Sequence, residues 1–305
     1  MPSFDTVTRQ GLSITNLFWL ELAISGLLLA LVLGVLVTAL VRFRVPAGDQ
    51  SQPPQGHGNR RLEIIWTATP AVTLAIIFGL VIQTLITVDA AQPNAEPLVI
   101  TGHQWWWEYA YPGQQVVAAN EVHVPVGAPI QMSLQSVDVI HSFHVLQFGW
   151  MQDLVPGKTN QMQVAVDRSG TYDGTCNQYC GLQHAWMRVR VVAEPTDQFN
   201  TWLQQQRQSV TPSGSQGERV FLQNTCVSCH TIRGLPGATG TVGPDLTHVG
   251  SRATLGAGVI ENTPDAMRKW IGNPQAIKPG VLMPPFQSLG TAELGALADY
   301  LEGLK

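Results

Sequence analysis

Two long uncharged segments constrain this chain more than any other feature. From Leu22 to Val41 it runs twenty residues without a charge, and from Ile64 to Val88 it runs twenty-five. At 1.5 Å of rise per residue, either segment crosses a hydrocarbon core of about 30 Å as a helix. Buried helices of soluble proteins seldom need so many uncharged residues in succession, so both are read as transmembrane. Composition agrees, with charged residues at 12% of the chain against about 25% in soluble globular proteins. The connecting loop carries Arg42, Arg44, Arg60 and Arg61, the N-terminal tail has Arg9 beside Asp5, and Asp89 follows the second run. The positive-inside rule puts that loop in the cytoplasm and both ends outside. The first run is longer than a signal-peptide core and has no basic stretch before it, which predicts a retained helix. A net charge of −4 gives no broad basic field, which argues against nucleic acid as a partner.

The predicted hairpin occupies residues 1–90, with helices at about 20–42 and 64–88. Trp19 and Trp66 suit interfacial anchors, and Pro70 is tolerated in a membrane helix. Glu63, at the cytoplasmic mouth of the second helix, is either a solvated boundary residue or a proton relay. After Pro93 the pattern turns to short alternating stretches such as Glu121–Val126 and Met187–Val191, with breakers at Pro112-Gly113, Gly127, Pro156-Gly157 and Gly170. These predict a β-sandwich over 91–195.

The chemistry of that sandwich lies in Cys176-Asn177-Gln178-Tyr179-Cys180-Gly181-Leu182-Gln183-His184-Ala185-Trp186-Met187. Two thiolates, an imidazole and a thioether form a soft-ligand set that selects copper over magnesium or calcium. A second imidazole, His141 or His144, would close the site. One Cys with two His and a Met suits a single copper; a second Cys allows two thiolates to bridge two coppers, each with one His and one weaker ligand. Zinc on two Cys and two His is the alternative metal, with Met187 against it. A plain Cys176–Cys180 disulfide is the structural alternative.

This segment, the apolar hairpin, Gly102-His103-Gln104-Trp105-Trp106-Trp107 and Asp138-Val139-Ile140-His141-Ser142-Phe143 together resemble subunit II of heme–copper cytochrome c oxidases over about residues 15–195. The resemblance implies a cupredoxin-like domain holding binuclear copper A on His141, Cys176, Cys180, His184, Met187 and the backbone carbonyl of Gln178. It selects His141 over His144. It implies that Trp105 is the electron-accepting tryptophan and Glu63 the acid at the mouth of a proton pathway. The family usually has Glu at position 178, whose side chain helps bind magnesium at the border with subunit I; Gln178 departs from that pattern. Met151, where the family often has Lys, is a second departure.

Residues 196–216 read as a short helix and a spacer rich in Pro, Ser and Gly. Then comes Cys226-Val227-Ser228-Cys229-His230, the pattern for covalent c-type heme attachment, with His230 as proximal iron ligand. A zinc ribbon would need a second Cys pair nearby. Gly243-Pro244-Asp245-Leu246, an amphipathic stretch at 265–271, Met283-Pro284-Pro285 and a closing helix at 292–301 follow in the order of a small single-heme cytochrome c, which 217–305 resembles. Met283 is preferred as second axial ligand because Met267 lies on a helical core pattern.

The expected fold is a multidomain membrane protein with a two-helix transmembrane hairpin, an all-β cupredoxin-like domain and an all-α class I cytochrome c domain. The resemblance implies subunit II of an oxidase in the bacterial plasma membrane, with both termini and both redox domains on the outer side. Electrons would pass from a covalent heme c to copper A and on to subunit I, where oxygen is reduced. The implied partners are subunit I, the other oxidase subunits and an upstream donor, whether cytochrome, cupredoxin or quinol-oxidising complex. The alternative is a membrane-anchored electron-transfer subunit serving another reductase, such as one for nitrogen oxides. A quinol oxidase is disfavoured because that branch lacks the copper ligands present here. His57, His103, His123, His144 and His248 are expected to be surface or structural residues.

Overall fold

The computed structural model describes residues 4–44, 48, 56 and 58–305. Most of the loop predicted to be cytoplasmic, His57 included, lies outside them. Residues Leu12–Ala90 form one compact unit, and Met1–Gly11 with Ala91–Lys305 form the other.

The first unit holds two helices, α1 (Arg9–Arg42) and α2 (Arg60–Asp89). Both start ahead of their apolar runs because caps set helix ends. The Thr8 hydroxyl accepts from the Gly11 amide at 3.0 Å, and Asn59 Oδ1 accepts from the amides of Arg61 and Leu62 at 3.1 and 3.4 Å. Their apolar side chains are exposed along nearly the whole length, the pattern of helices whose solvent is lipid.

The second unit begins with ten strands: β1 (Glu96–His103), β2 (Trp106–Tyr111), β3 (Val116–Ala119), β4 (Glu121–Pro125), β5 (Pro129–Ser136), β6 (His141–Val145), β7 (Met151–Leu154), β8 (Asn160–Ala165), β9 (Gly170–Cys176) and β10 (Arg188–Glu194). They form two five-stranded sheets, ordered β3-β2-β1-β5-β8 and β4-β10-β9-β6-β7. The pairs β1–β5 and β4–β10 are parallel and the others antiparallel. Alternation along the strands turns Leu98, Ile100, Trp107, Tyr109, Met132, Leu134, Phe143 and Val191 into one core between the sheets. Val7 joins that core at 2% exposed, through Val7 N–H to Gln147 O and Asp167 N–H to Val7 O.

Helix α3 (Thr196–Gln206) lays Phe199 and Leu203 on the same core, while Trp202 stacks on His123 at 4.2 Å. The Pro, Ser and Gly composition of the next residues predicts a loose spacer. Their backbone is nevertheless bonded: Val210 N–H donates to Arg233 O, and Ser213 and Gly214 donate to the Glu218 carboxylate. Ser215 caps α4 (Gln216–Gln223) by accepting from the Glu218 amide at 3.2 Å, while the Glu218 carboxylate reaches past it to Ser213 and Gly214 and draws the spacer against the helix.

The remaining elements are α5 (Cys226–Cys229), a two-stranded ribbon of β11 (Thr254–Leu255) and β12 (Ile260–Glu261), α6 (Pro264–Gly272), α7 (Pro274–Ile277) and α8 (Thr291–Glu302). The apolar face expected of α8, Leu294, Leu297, Ala298 and Leu301, is buried at the last three positions and half-buried at Leu294. Helices α4 and α8 touch where Gly217 meets the Ala296 backbone so closely that no Cβ fits.

Candidate functional site

Three strand ends bring the predicted ligands together. Cys176 closes β9, His141 opens β6, and Met187 directly precedes β10. β9 lies between β6 and β10, so pairing alone gathers all three at one edge of the sandwich. The loop 177–186 folds back through Cys176 N–H to Met187 O at 2.9 Å and His184 N–H to Gly181 O at 3.1 Å.

The donors fall into two matching halves. Cys176 Sγ lies 3.8 Å from His141 Nδ1 and 3.3 Å from Gln178 O. Cys180 Sγ lies 3.6 Å from His184 Nδ1 and 3.9 Å from Met187 Sδ. The two sulfurs are 3.7 Å apart and both cysteines are free thiols. The Gln178 residue is exposed while its carbonyl oxygen approaches the sulfur. His144 is three residues from His141 on β6, and strand alternation sends the two to opposite faces.

Hydrogen bonding tunes these groups. The bond from Cys180 pulls the Cys176 thiol down to about 4 against the effect of burial, with His141 adding to the drop. The same bond, together with burial, pushes Cys180 up. The pair thus behaves as one ionised thiol sharing a proton with its neighbour. Burial opposes the charged form of His141, but hydrogen bonds to Cys176 and Asp138 outweigh it and raise the imidazole. An ionised sulfur among soft donors suits a soft cation, so the residues present fit a two-copper centre.

Sequence reasoning missed the support around this site. Asp138 Oδ1 is 2.8 Å from His141 Nε2 and leaves Nδ1 toward the sulfur, the usual outer-shell arrangement of a metal-binding imidazole. An acid three residues before a ligand histidine was the available signal. Gly102 is also required, because a Cβ there would sit 2.7 Å from His141 Cδ2. Gly102→Ala should therefore cost about 1–3 kcal/mol and lower copper occupancy. Copper stoichiometry and thermal melting of the same sample check this, with full occupancy counting against His141 as a ligand.

The indole Nε1 of Trp105 donates to Cys180 O at 3.0 Å and the Gln104 amide donates to the same oxygen at 2.7 Å. Trp105 also lines a cavity of about 210 Å3 whose walls include Cys226, Cys229, His230 and Met283. There His230 Nδ1–H donates to Pro244 O at 2.8 Å, which leaves Nε2 as the ring's metal donor. Burial lowers the His230 imidazole, so it stays neutral, and the bond to Pro244 only partly opposes this. Burial pushes the Cys226 thiol up to about 11. Two free thiols, a neutral imidazole and a thioether around an apolar cavity fit a covalent heme. Met267 reaches the same wall but is 2% exposed and packed in the core of this segment. Glu63 lies in the first turn of α2, where an acid also favours the helix dipole.

Comparison with known families shows what the chain is similar to. Residues 5–82 match the family described as cytochrome C oxidase subunit II, transmembrane domain, and residues 114–194 match its periplasmic domain. Residues 215–305 match cytochrome c. Cytochrome c oxidase subunit 2 of Alkalihalophilus pseudofirmus is 33% identical over 316 residues, covering 100% of this chain and 91% of that protein. The subunit 2 of Bacillus sp. strain PS3 is 29% identical, covering 86% of this chain and 80% of that one. Among solved structures, the periplasmic domain of subunit II of cytochrome oxidase from Bradyrhizobium japonicum is 29% identical over 38% of this chain and 96% of its own, with a TM-score of 0.37. The chain belongs to the cytochrome c oxidase subunit II family, as a membrane-anchored member with a C-terminal cytochrome c domain.

Proposed function

We propose that this subunit carries electrons within its own chain, from residues 217–305 to the six-donor loop of residues 91–195, and delivers them to subunit I. The pairing of donors carries this reading: each sulfur has its own imidazole and its own weaker donor, at 3.3–3.9 Å. Bound copper A and covalent heme c would supply the one-electron carriers, with oxygen reduced to water in subunit I.

The chain's own residues have distinct tasks. Cys176 and Cys180 hold the soft metal, with His141, His184, Met187 and the Gln178 carbonyl completing the set. Asp138 orients His141. Cys226 and Cys229 would anchor the heme and His230 and Met283 would hold its iron, a thioether donor favouring a high potential. Trp105 joins the Cys180 carbonyl to the cavity wall and is the receiving side chain between the two sites. Glu63 serves as proton inlet. Magnesium at the subunit I border is not part of the proposal, since a glutamine stands at position 178.

Both termini and both redox segments are assigned to the outer side of a bacterial plasma membrane. The arginine-bearing loop favours this, and so does Val7, packed in the same core as the copper-ligand strands. An upstream cytochrome, cupredoxin or quinol-oxidising complex supplies the electrons.

Metal analysis and electron paramagnetic resonance of the full-length chain in detergent test the proposal. Two coppers and one iron per chain, with the seven-line signal of a delocalised mixed-valence copper pair, are expected. Zinc, or a single copper with a blue-copper spectrum, would overturn it.

A further inference from the structure

Residues 91–305 form one compact unit, and a set of polar contacts joins the cytochrome segment to the copper-ligand sandwich. Glu121, at the start of β4 and 7% exposed, accepts from the amides of Ala253 and Thr254 at 3.0 and 2.8 Å and from the Thr254 hydroxyl at 2.9 Å. The Gln183 amide donates to the carbonyls of Lys278 and Pro279 at 3.1 and 2.9 Å. Trp106, Ala119 and Ala257 close a small buried apolar cluster between the two parts.

Lys278 is the unusual member. It is 2% exposed, whereas lysine is almost never fully buried without partners. Its Nζ donates to Trp105 O at 3.0 Å, in the sandwich, and to Gly256 O at 2.9 Å, in the cytochrome segment. Both acceptors are carbonyls, so the attachment depends on direction and length more than on opposite charge. An apolar side chain would fill this space without the desolvation penalty, and that penalty pushes the ammonium down to about 7. Two directional bonds select one register between surfaces that could otherwise slide. The residue whose carbonyl is held is the one whose indole donates to Cys180 O. Trp105, Gly256 and Lys278 all line the cavity that contains Cys226, Cys229 and His230.

We propose that Lys278 is a positioning residue for electron passage within the chain: its buried Nζ, shared between Trp105 O and Gly256 O, locks the cytochrome segment in the one pose that makes Trp105 a common wall of the heme cavity and the copper loop. The functional half of this rests on the reading of those two sites given above; the lock itself does not.

The test uses the full-length chain with Lys278→Met, of similar length and without a donor. Hydrogen exchange at the Ala253 and Thr254 amides should accelerate by about tenfold or more, the size expected for losing a charge-assisted hydrogen bond. Exchange in α4 and α8 and the heme and copper spectra should stay as in the parent chain. After photoreduction of the heme, electron arrival at copper should slow and become dependent on solvent viscosity, whereas the parent rate is expected to be independent of it. Parent-like exchange and rate in the variant would overturn the proposal. So would faster exchange throughout α4 and α8, which would make Lys278 a general stability residue. If Lys278→Met fails to fold, Lys278→Gln carries the test, with a smaller shift expected and none overturning it. A parent chain that lacks copper or heme would sink the functional reading, while the exchange measurement would still decide the lock.

Discussion

Exchange of Cys180 for serine is expected to abolish oxygen uptake by the assembled oxidase while the heme absorbance stays unchanged. Cys180 Sγ faces Cys176, His184 and Met187 at 3.7, 3.6 and 3.9 Å, so it is the sulfur of one half of the site and touches the sulfur of the other. A serine hydroxyl keeps its proton at neutral pH and is a hard donor, so it is a poor ligand for soft ions. Changes in outer-shell partners alone cost metal sites about 10- to 100-fold, and loss of a donor that would hold the metal directly should exceed that. The new buried hydroxyl costs about 1–3 kcal/mol if unpaired, less than the roughly 5–15 kcal/mol that holds a domain together. The sandwich should therefore still fold. Oxygen uptake at the parent rate would mean that electrons bypass the loop of residues 176–187.

The second large effect is expected from replacing Cys226 and Cys229 together by alanine. Heme should no longer stay with the chain through denaturing electrophoresis, while two coppers per chain remain. The effect on folding should be as large as the effect on electron transfer. Leaving an apolar cavity of about 210 Å3 unfilled costs about 5 kcal/mol at roughly 24 cal/mol per Å3. That is comparable with the whole stability of a small domain. The cytochrome segment should then melt ahead of the sandwich, visible as a separate transition in calorimetry. Heme that remains attached would refute covalent attachment through these two residues.

Much of the site was legible because its chemistry is local. Five of the six donors fall between positions 176 and 187, and a short loop between two paired strands has few ways to arrange them. The choice between His141 and His144 needed more than spacing. It becomes plain once Phe143 pairs with Cys176 and fixes which face of β6 meets the loop. The helix starts at Arg9 and Arg60 were set by Thr8 and Asn59, polar caps outside the apolar runs that hydropathy reads. The clamp residues were not legible at all. Glu121 and Thr254 are 133 positions apart and Lys278 and Trp105 are 173 apart, and periodicity carries no record of such pairings. A buried lysine in a coil between two short helices looks, in sequence, like any solvated lysine.

The seat of Val7 bears on how the protein is made. Val7 and Thr8 are bound by Gln147, Phe148, Val166 and Asp167, residues synthesised about 140–160 positions later. Chains emerge N-terminus first, so the segment ahead of the first apolar helix has no complete seat until most of the sandwich has been synthesised. Strand β9 and the loop after Cys176 come next in the sequence, so seating of the N-terminus and completion of that loop fall at nearly the same moment of synthesis. A nascent chain arrested before Val166 would leave Val7 with part of its seat missing, a defect that proteases can recognise.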